Sequence, residues 1–128
     1  MNSRLFQALK LCETDVDGAV QRFSGNEKLY LKYLKAFTKE PTMAELNNAI
    51  DTQNWDDAFM AAHALKGLAG NMGFVPLFHA VGELVLLLRA HKTDQIASIR
   101  SQISLAYNDV INTLKQFDDI TELHVRGE

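Results

Sequence analysis

The chain has one cysteine among 128 residues, Cys12. It can form no internal disulfide, which suits a reducing cytoplasm and excludes a cross-linked secreted scaffold. Prolines number two, Pro41 and Pro76, and both fall where an element should end or begin. No apolar run is long enough to span a membrane. The opening residues Met1, Asn2, Ser3 and Arg4 lack the charged and apolar regions of a signal peptide, so a cytoplasmic location is expected. There is no G-x-x-x-x-G-K-[ST] loop and no glycine-rich nucleotide loop, and no phosphorylation from ATP is expected. His79, His91 and His124 have no partner at ligand spacing, and no Cys/His cluster occurs, so no metal site of its own is expected. The formal charge of −3 argues against a general nucleic-acid binder. Alternating strand patterns, internal repeats and low-complexity segments are missing too.

What remains is a mildly acidic chain, 47% apolar, of the size of one ordinary domain. We read residues 1–128 as one domain, with a core at about 12–117 and a polar tail at 118–128. Leu5, Phe6 and Leu9 suggest a short N-terminal helix. Thr14 and Asp15 offer a cap for a second, through Val16, Val20 and Phe23. Ser24, Gly25 and Asn26 break it, and Asn26 can cap a helix holding Leu29, Leu31, Tyr33, Leu34 and Phe37. Pro41 ends that helix near Glu40. A further helix carries Met43, Leu46, Ala49 and Ile50.

The next helix should start near Asn54. Trp55, Ala58, Ala62, Leu65, Ala69 and Met72 form its core stripe, and Gly73 its C-terminal cap. Val75 and Pro76 open an apolar helix through Leu77, Phe78, Val81, Leu84, Val85, Leu87 and Leu88, expected to be buried on more than one side. Thr93 and Asp94 are read as the cap of a last helix with Ile96, Ile99, Ile103, Ala106, Val110, Leu114 and Phe117 inward. Short connections predict an all-α, up-and-down antiparallel four-helix bundle with short extra N-terminal helices.

The stretch from Ala61 to Gly73 stands out in this pattern. It reads as helix yet carries Gly67, Gly70 and Gly73, and each interior glycine costs roughly 0.5–1 kcal/mol relative to alanine. His63, Lys66, Gly67 and Gly70 share one face. That face offers an imidazole, an ammonium one turn on, and then almost no bulk. Phe59, Met60, Ala64 and Leu68 would give an apolar patch beside it. Lys28, Lys32, Lys35 and Lys39 form a basic face that reads mostly as solvated.

His63-x-Leu65-Lys66-Gly67, followed by Asn71, Gly73, Leu77 and Glu83-Leu84, resembles the motif of the histidine-containing phosphotransfer domain. Upstream, Asp17-Gly18-Ala19-Val20 and the run from Arg22 to Glu27, leading into Leu29-Tyr30, resemble stand-alone members. The resemblance covers residues 12–117 and implies the same bundle. Val85 departs from the acidic residue of many members, a change expected to touch only a surface or partner contact.

The resemblance implies that His63 is the phosphoacceptor, supported by Lys66 and Gly67. A neutral imidazole is a nucleophile at cellular pH, and a lysine nearby offsets charge on the transferred oxygens. Phe59, Met60, Ala64, Gly70 and Asn71 would meet the partner. The implied partners are response-regulator receiver domains and a hybrid sensor histidine kinase, with Mg2+ supplied by the receiver and the protein a monomer. The alternatives are a phosphorylation-independent receiver-docking or scaffold module, and a helical-bundle enzyme or metal carrier.

Overall fold

Side-chain caps set where the first helices begin. In a computed structural model describing the backbone of residues 3–126 and the side chains of residues 4–117, the helices are α1 (Ser3–Leu11), α2 (Val16–Arg22), α3 (Glu27–Phe37), α4 (Thr42–Asp51), α5 (Trp55–Met72), α6 (Val75–Arg89) and α7 (Ile96–Arg126). The Asp15 carboxylate accepts from the Gly18 amide at 3.0 Å, the Asn26 side chain from Leu29 at 3.0 Å and the Asn54 side chain from Asp57 at 3.2 Å. Each satisfies an amide that the first turn leaves without a backbone partner. Asp17, Glu27, Asp56 and Asp57 add negative charge to these first turns, where the helix dipole favours it. The expected cap of the last helix is different. Thr93–Gln95 form a 3-10 turn that runs straight into α7, and neither Thr93 nor Asp94 makes a capping bond among the described residues. The tighter turn itself leads the chain into the helix.

Gly73 closes α5 in the left-handed region, at φ +81°. Phe74 then donates back to the Ala69 carbonyl at 2.9 Å, as a left-handed cap requires. A Cβ on Gly73 would lie 2.5 Å from the Asp15 carbonyl oxygen. The Asp15 amide in turn donates to the Gly73 carbonyl at 2.8 Å, and Thr14 pairs with Phe74 in an isolated antiparallel bridge. The α1–α2 junction is therefore pinned backbone-to-backbone on the α5–α6 turn. No strand occurs among the described residues.

The chain is all-helical. α5 packs on α4 and α6, and α6 on α7, while α1 lies on α7 and α2 on α5. The core stripe of α5 is as expected: Ala58, Ala62, Leu65, Ala69 and Met72 are buried, and Trp55 is half-buried at its start. Three alanines there let neighbouring helices approach closely. α6 buries Leu77, Ala80, Val81, Leu84, Val85 and Leu88. Val85 is 3% exposed, which corrects its reading as a surface or partner position. An acidic side chain there would be a buried charge. The large apolar residues that α6 exposes are Val75 at its start and Leu86, 62% accessible.

α3 turns Tyr30, Leu34 and Phe37 inward and leaves Lys28, Lys32 and Lys35 exposed, while Lys39, also exposed, lies in the turn after it. Tyr30 is fully buried, and its hydroxyl donates to the Met72 carbonyl at 2.9 Å. That bond satisfies one of the carbonyls left open at the end of α5, and burial pushes the phenol well above its ordinary range. Opposite, Arg100 of α7 ties off α4. Its guanidinium donates to the Asn47 side chain at 3.2 Å and carbonyl at 3.3 Å, and lies 2.8 Å from Asp51. The side chains of the polar tail at 118–128 lie outside the described residues.

Candidate functional site

His63 sits in the middle of α5 with its side chain exposed. The helix places it there because the core stripe runs along the other side, one alanine-lined face inward and His63, Gly67 and Met60 outward. Among the described residues no hydrogen bond or ion pair engages the imidazole. Its ring neighbour is Phe59, one turn earlier, with centroids 6.2 Å apart and planes at 33°. The ring nitrogens are thus open to an incoming group.

Lys66 lies one turn later and leans away from solvent, toward α6. Its ammonium is 5.5 Å from the centroid of the Phe78 ring. At the other end, the Arg89 guanidinium of α6 stands 5.6 Å from the Phe59 ring. Two cation–π contacts thus cross the α5–α6 seam, one on each side of His63 along the helix.

The three motif glycines separate into different jobs. Gly67 has nothing within 4 Å of a Cβ built on it, so the surface next to His63 is bare. Gly70 is not bare: a Cβ there would be 3.0 Å from the Phe78 ring, so this glycine admits α6. Gly73 is the cap. Asn71 is exposed, and its carbonyl accepts from the Arg22 guanidinium at 3.2 Å.

Met60, 70% accessible, and the exposed Ala64 line a groove of about 410 Å³ between α4 and α5, with Asn48, Thr52 and Asp57. Phe59 and Leu68 are half-buried and do not line this groove. The structure therefore gathers His63, Gly67, Met60 and Ala64 on one open face. Lys66, Phe59 and Gly70 turn toward α6, and Asn71 lies at the far end of the helix. Reading α6 only as core missed the contacts that Phe78, Gly82 and Arg89 make with α5. Their signal was present: a glycine and an arginine in a largely apolar helix, spaced by whole turns from Phe78. No group of His, Cys, Asp or Glu among the described residues could hold a metal ion.

A family model described as the Hpt domain matches residues 38–117, which is more than half of the chain. The chain belongs to the Hpt domain family. No curated protein and no solved structure gives a match. The Hpt match spans α4 to α6 and α7 as far as Phe117, and so contains His63, Lys66 and Gly67. Hpt membership indicates histidine phosphotransfer in phosphorelays, in which Hpt domains interact with receiver domains and kinases. Of the helices outside the match, α2 and α3 brace the Hpt region through Arg22 and Tyr30 at the C-terminal end of α5, and α1 packs on α7. No helix of the described residues is long and apolar enough to cross a membrane.

Proposed function

We propose that the protein is a phosphotransfer intermediate of a multistep two-component phosphorelay. His63 accepts a phosphoryl group from a receiver-domain aspartyl phosphate and passes it to another receiver aspartate. The observation that carries this reading is the open imidazole of His63 beside the bare Gly67 surface. A ring nitrogen attacks phosphorus, the N–P bond forms, and the acyl-phosphate P–O bond breaks to release the aspartate carboxylate. The second ring nitrogen then gives up its proton to solvent. Charge builds on the equatorial oxygens during this in-line step, and the Lys66 ammonium offsets it. Transfer in the other direction runs through the same transition state.

Gly67 lets the receiver's loops come down to the phosphoryl group. Met60, Ala64 and Phe59 supply the apolar contact, with Gly70 and Asn71 at its edge. Mg2+ for the transfer is supplied by the receiver's acidic pocket. The packing of α4 on α5, α5 on α6 and α6 on α7 supports an up-and-down bundle of these four helices. The protein works in the cytoplasm as a single domain and a monomer, fed by a hybrid sensor histidine kinase.

The test is transfer from a phosphorylated receiver, with mass-spectrometric mapping of the modified residue and an acid-lability assay. Acid-labile, base-stable phosphate on His63 is expected. His63→Gln should abolish uptake and leave helicity and melting nearly unchanged, because the side chain is exposed. Uptake surviving in that variant means the assignment is wrong. A folded protein that binds receivers but takes no phosphate from a broad panel of them is a docking module instead.

A further inference from the structure

We infer that Phe78 is a positioning residue for Lys66, and that Gly70 is a glycine because the ring needs the space. This rests on the phosphotransfer reading of His63 and Lys66. A lysine on a helix surface carries its charge on a flexible four-carbon stem and samples many rotamers. Here the stem is held. Phe78 receives the ammonium at 5.5 Å from its ring centroid, and both side chains are half-buried. The ring in turn is seated against Gly70: a Cβ there would come within 3.0 and 3.1 Å of Phe78 Cε1 and Cδ1. On the next turn of α6, a Cβ on Gly82 would sit 3.6 Å from Lys66 Cε and 4.0 Å from Nζ. These are ordinary contact distances, and the stem of Lys66 runs alongside Gly82.

The four residues therefore form one device across the α5–α6 seam. Gly70 admits the ring, the ring carries the ammonium, and the stem lies alongside Gly82. The ammonium is fixed one turn from His63 before any partner arrives. A group already in place at the start of transfer need not be ordered during it.

The experiment compares wild type, Phe78→Leu, Phe78→Tyr, Lys66→Ala and the Phe78→Leu/Lys66→Ala double variant. Each is assayed for the rate of transfer from a phosphorylated receiver, and melting is followed in parallel. Phe78→Leu should slow transfer by about two- to fivefold, the range covered by a partly exposed cation–π contact. Phe78→Tyr, which keeps the ring, should restore the wild-type rate. In the Lys66→Ala background, Phe78→Leu should change nothing further, because the group it positions is gone. A purely structural Phe78 would slow both backgrounds by the same factor, and that outcome overturns the inference. So does an unchanged rate in folded Phe78→Leu. If wild type takes no phosphate at all, the phosphotransfer reading falls and this inference with it; if wild type is phosphorylated and Phe78→Leu is normal, only the inference falls. A readout independent of transfer is the proton shift of the Lys66 ε-methylene. It should be moved upfield by the Phe78 ring current in wild type and return to the ordinary position in Phe78→Leu. An ordinary shift in wild type refutes the seating.

Discussion

Substituting Gly67 should separate stability from transfer more cleanly than any other change in the chain. The position is interior to α5, exposed, and has no heavy atom within 4 Å of a built Cβ. Nothing in the free protein needs a glycine there. Alanine should therefore stabilise the fold by roughly 0.5–1 kcal/mol, the ordinary helix-interior difference. For a domain of this size that raises the melting temperature by about 2–6 °C. Glutamine, a good helix former, should leave stability close to or above wild type. Transfer should move the other way. The bare surface lies one turn from His63, where the receiver must bring its aspartyl phosphate into line. A displacement of about 1 Å costs on the order of a hundredfold in such a step, so Gly67→Gln should lose receiver transfer by that order while melting at or above the wild-type temperature. The assay pairs thermal denaturation by circular dichroism with single-turnover transfer in the same buffer. If Gly67→Ala melts lower than wild type, the surface is not open. If Gly67→Gln transfers normally, no partner needs the clearance.

Other sites give sharper structural tests. Tyr30→Phe removes the buried donor to the Met72 carbonyl and should cost about 1–3 kcal/mol in chemical denaturation; a loss below a few tenths would show that the carbonyl finds another partner. Gly73→Ala should cost at least about 1–2 kcal/mol for the left-handed backbone alone, and more because its Cβ meets the Asp15 carbonyl; a neutral result refutes the pinning of the α1–α2 junction on the α5–α6 turn. Asp51 gives a pH dependence. The hydrogen bond from Arg100 holds its carboxyl below the ordinary aspartate range. A depressed folded value contributes stability above the unfolded value, about 3.9, and loses it as pH falls through the folded one. Asp51→Asn should therefore melt slightly below wild type at neutral pH and low salt, and the gap should close in acid; a gap that widens in acid contradicts the pairing.

The helix boundaries were legible wherever the signal is local. Asp15, Asn26 and Asn54 cap as their side chains suggest, because an N-cap bond spans only two or three residues of one chain segment. Gly73 caps α5 for the same reason. Thr93 and Asp94 have the right chemistry for a cap but enter α7 through a 3-10 turn, a choice made by how α6 hands the chain to α7. Val85 shows the limit of motif comparison. A departure from a pattern says that a side chain changed, while its burial depends on which face of α6 the bundle covers.

The candidate site divides along the same line. His63 and Gly67 could be put on one outward face from spacing alone, because the alanine and leucine stripe of α5 dictates which side is inward. The tertiary structure alone decided what the other motif residues do. Gly67 and Gly70 are a turn apart and identical in sequence terms, yet one faces open space and the other the Phe78 ring. Lys66 points not outward but across to α6. Arg89, Phe78 and Gly82 reach the α5 site from a helix that its composition marks mostly as core. A helical repeat determines direction from one axis, so the sequence could order residues around α5. It holds no information on the distance to a second axis until the core packs, and the contacts that hold Lys66 and Phe59 beside His63 are set by that distance.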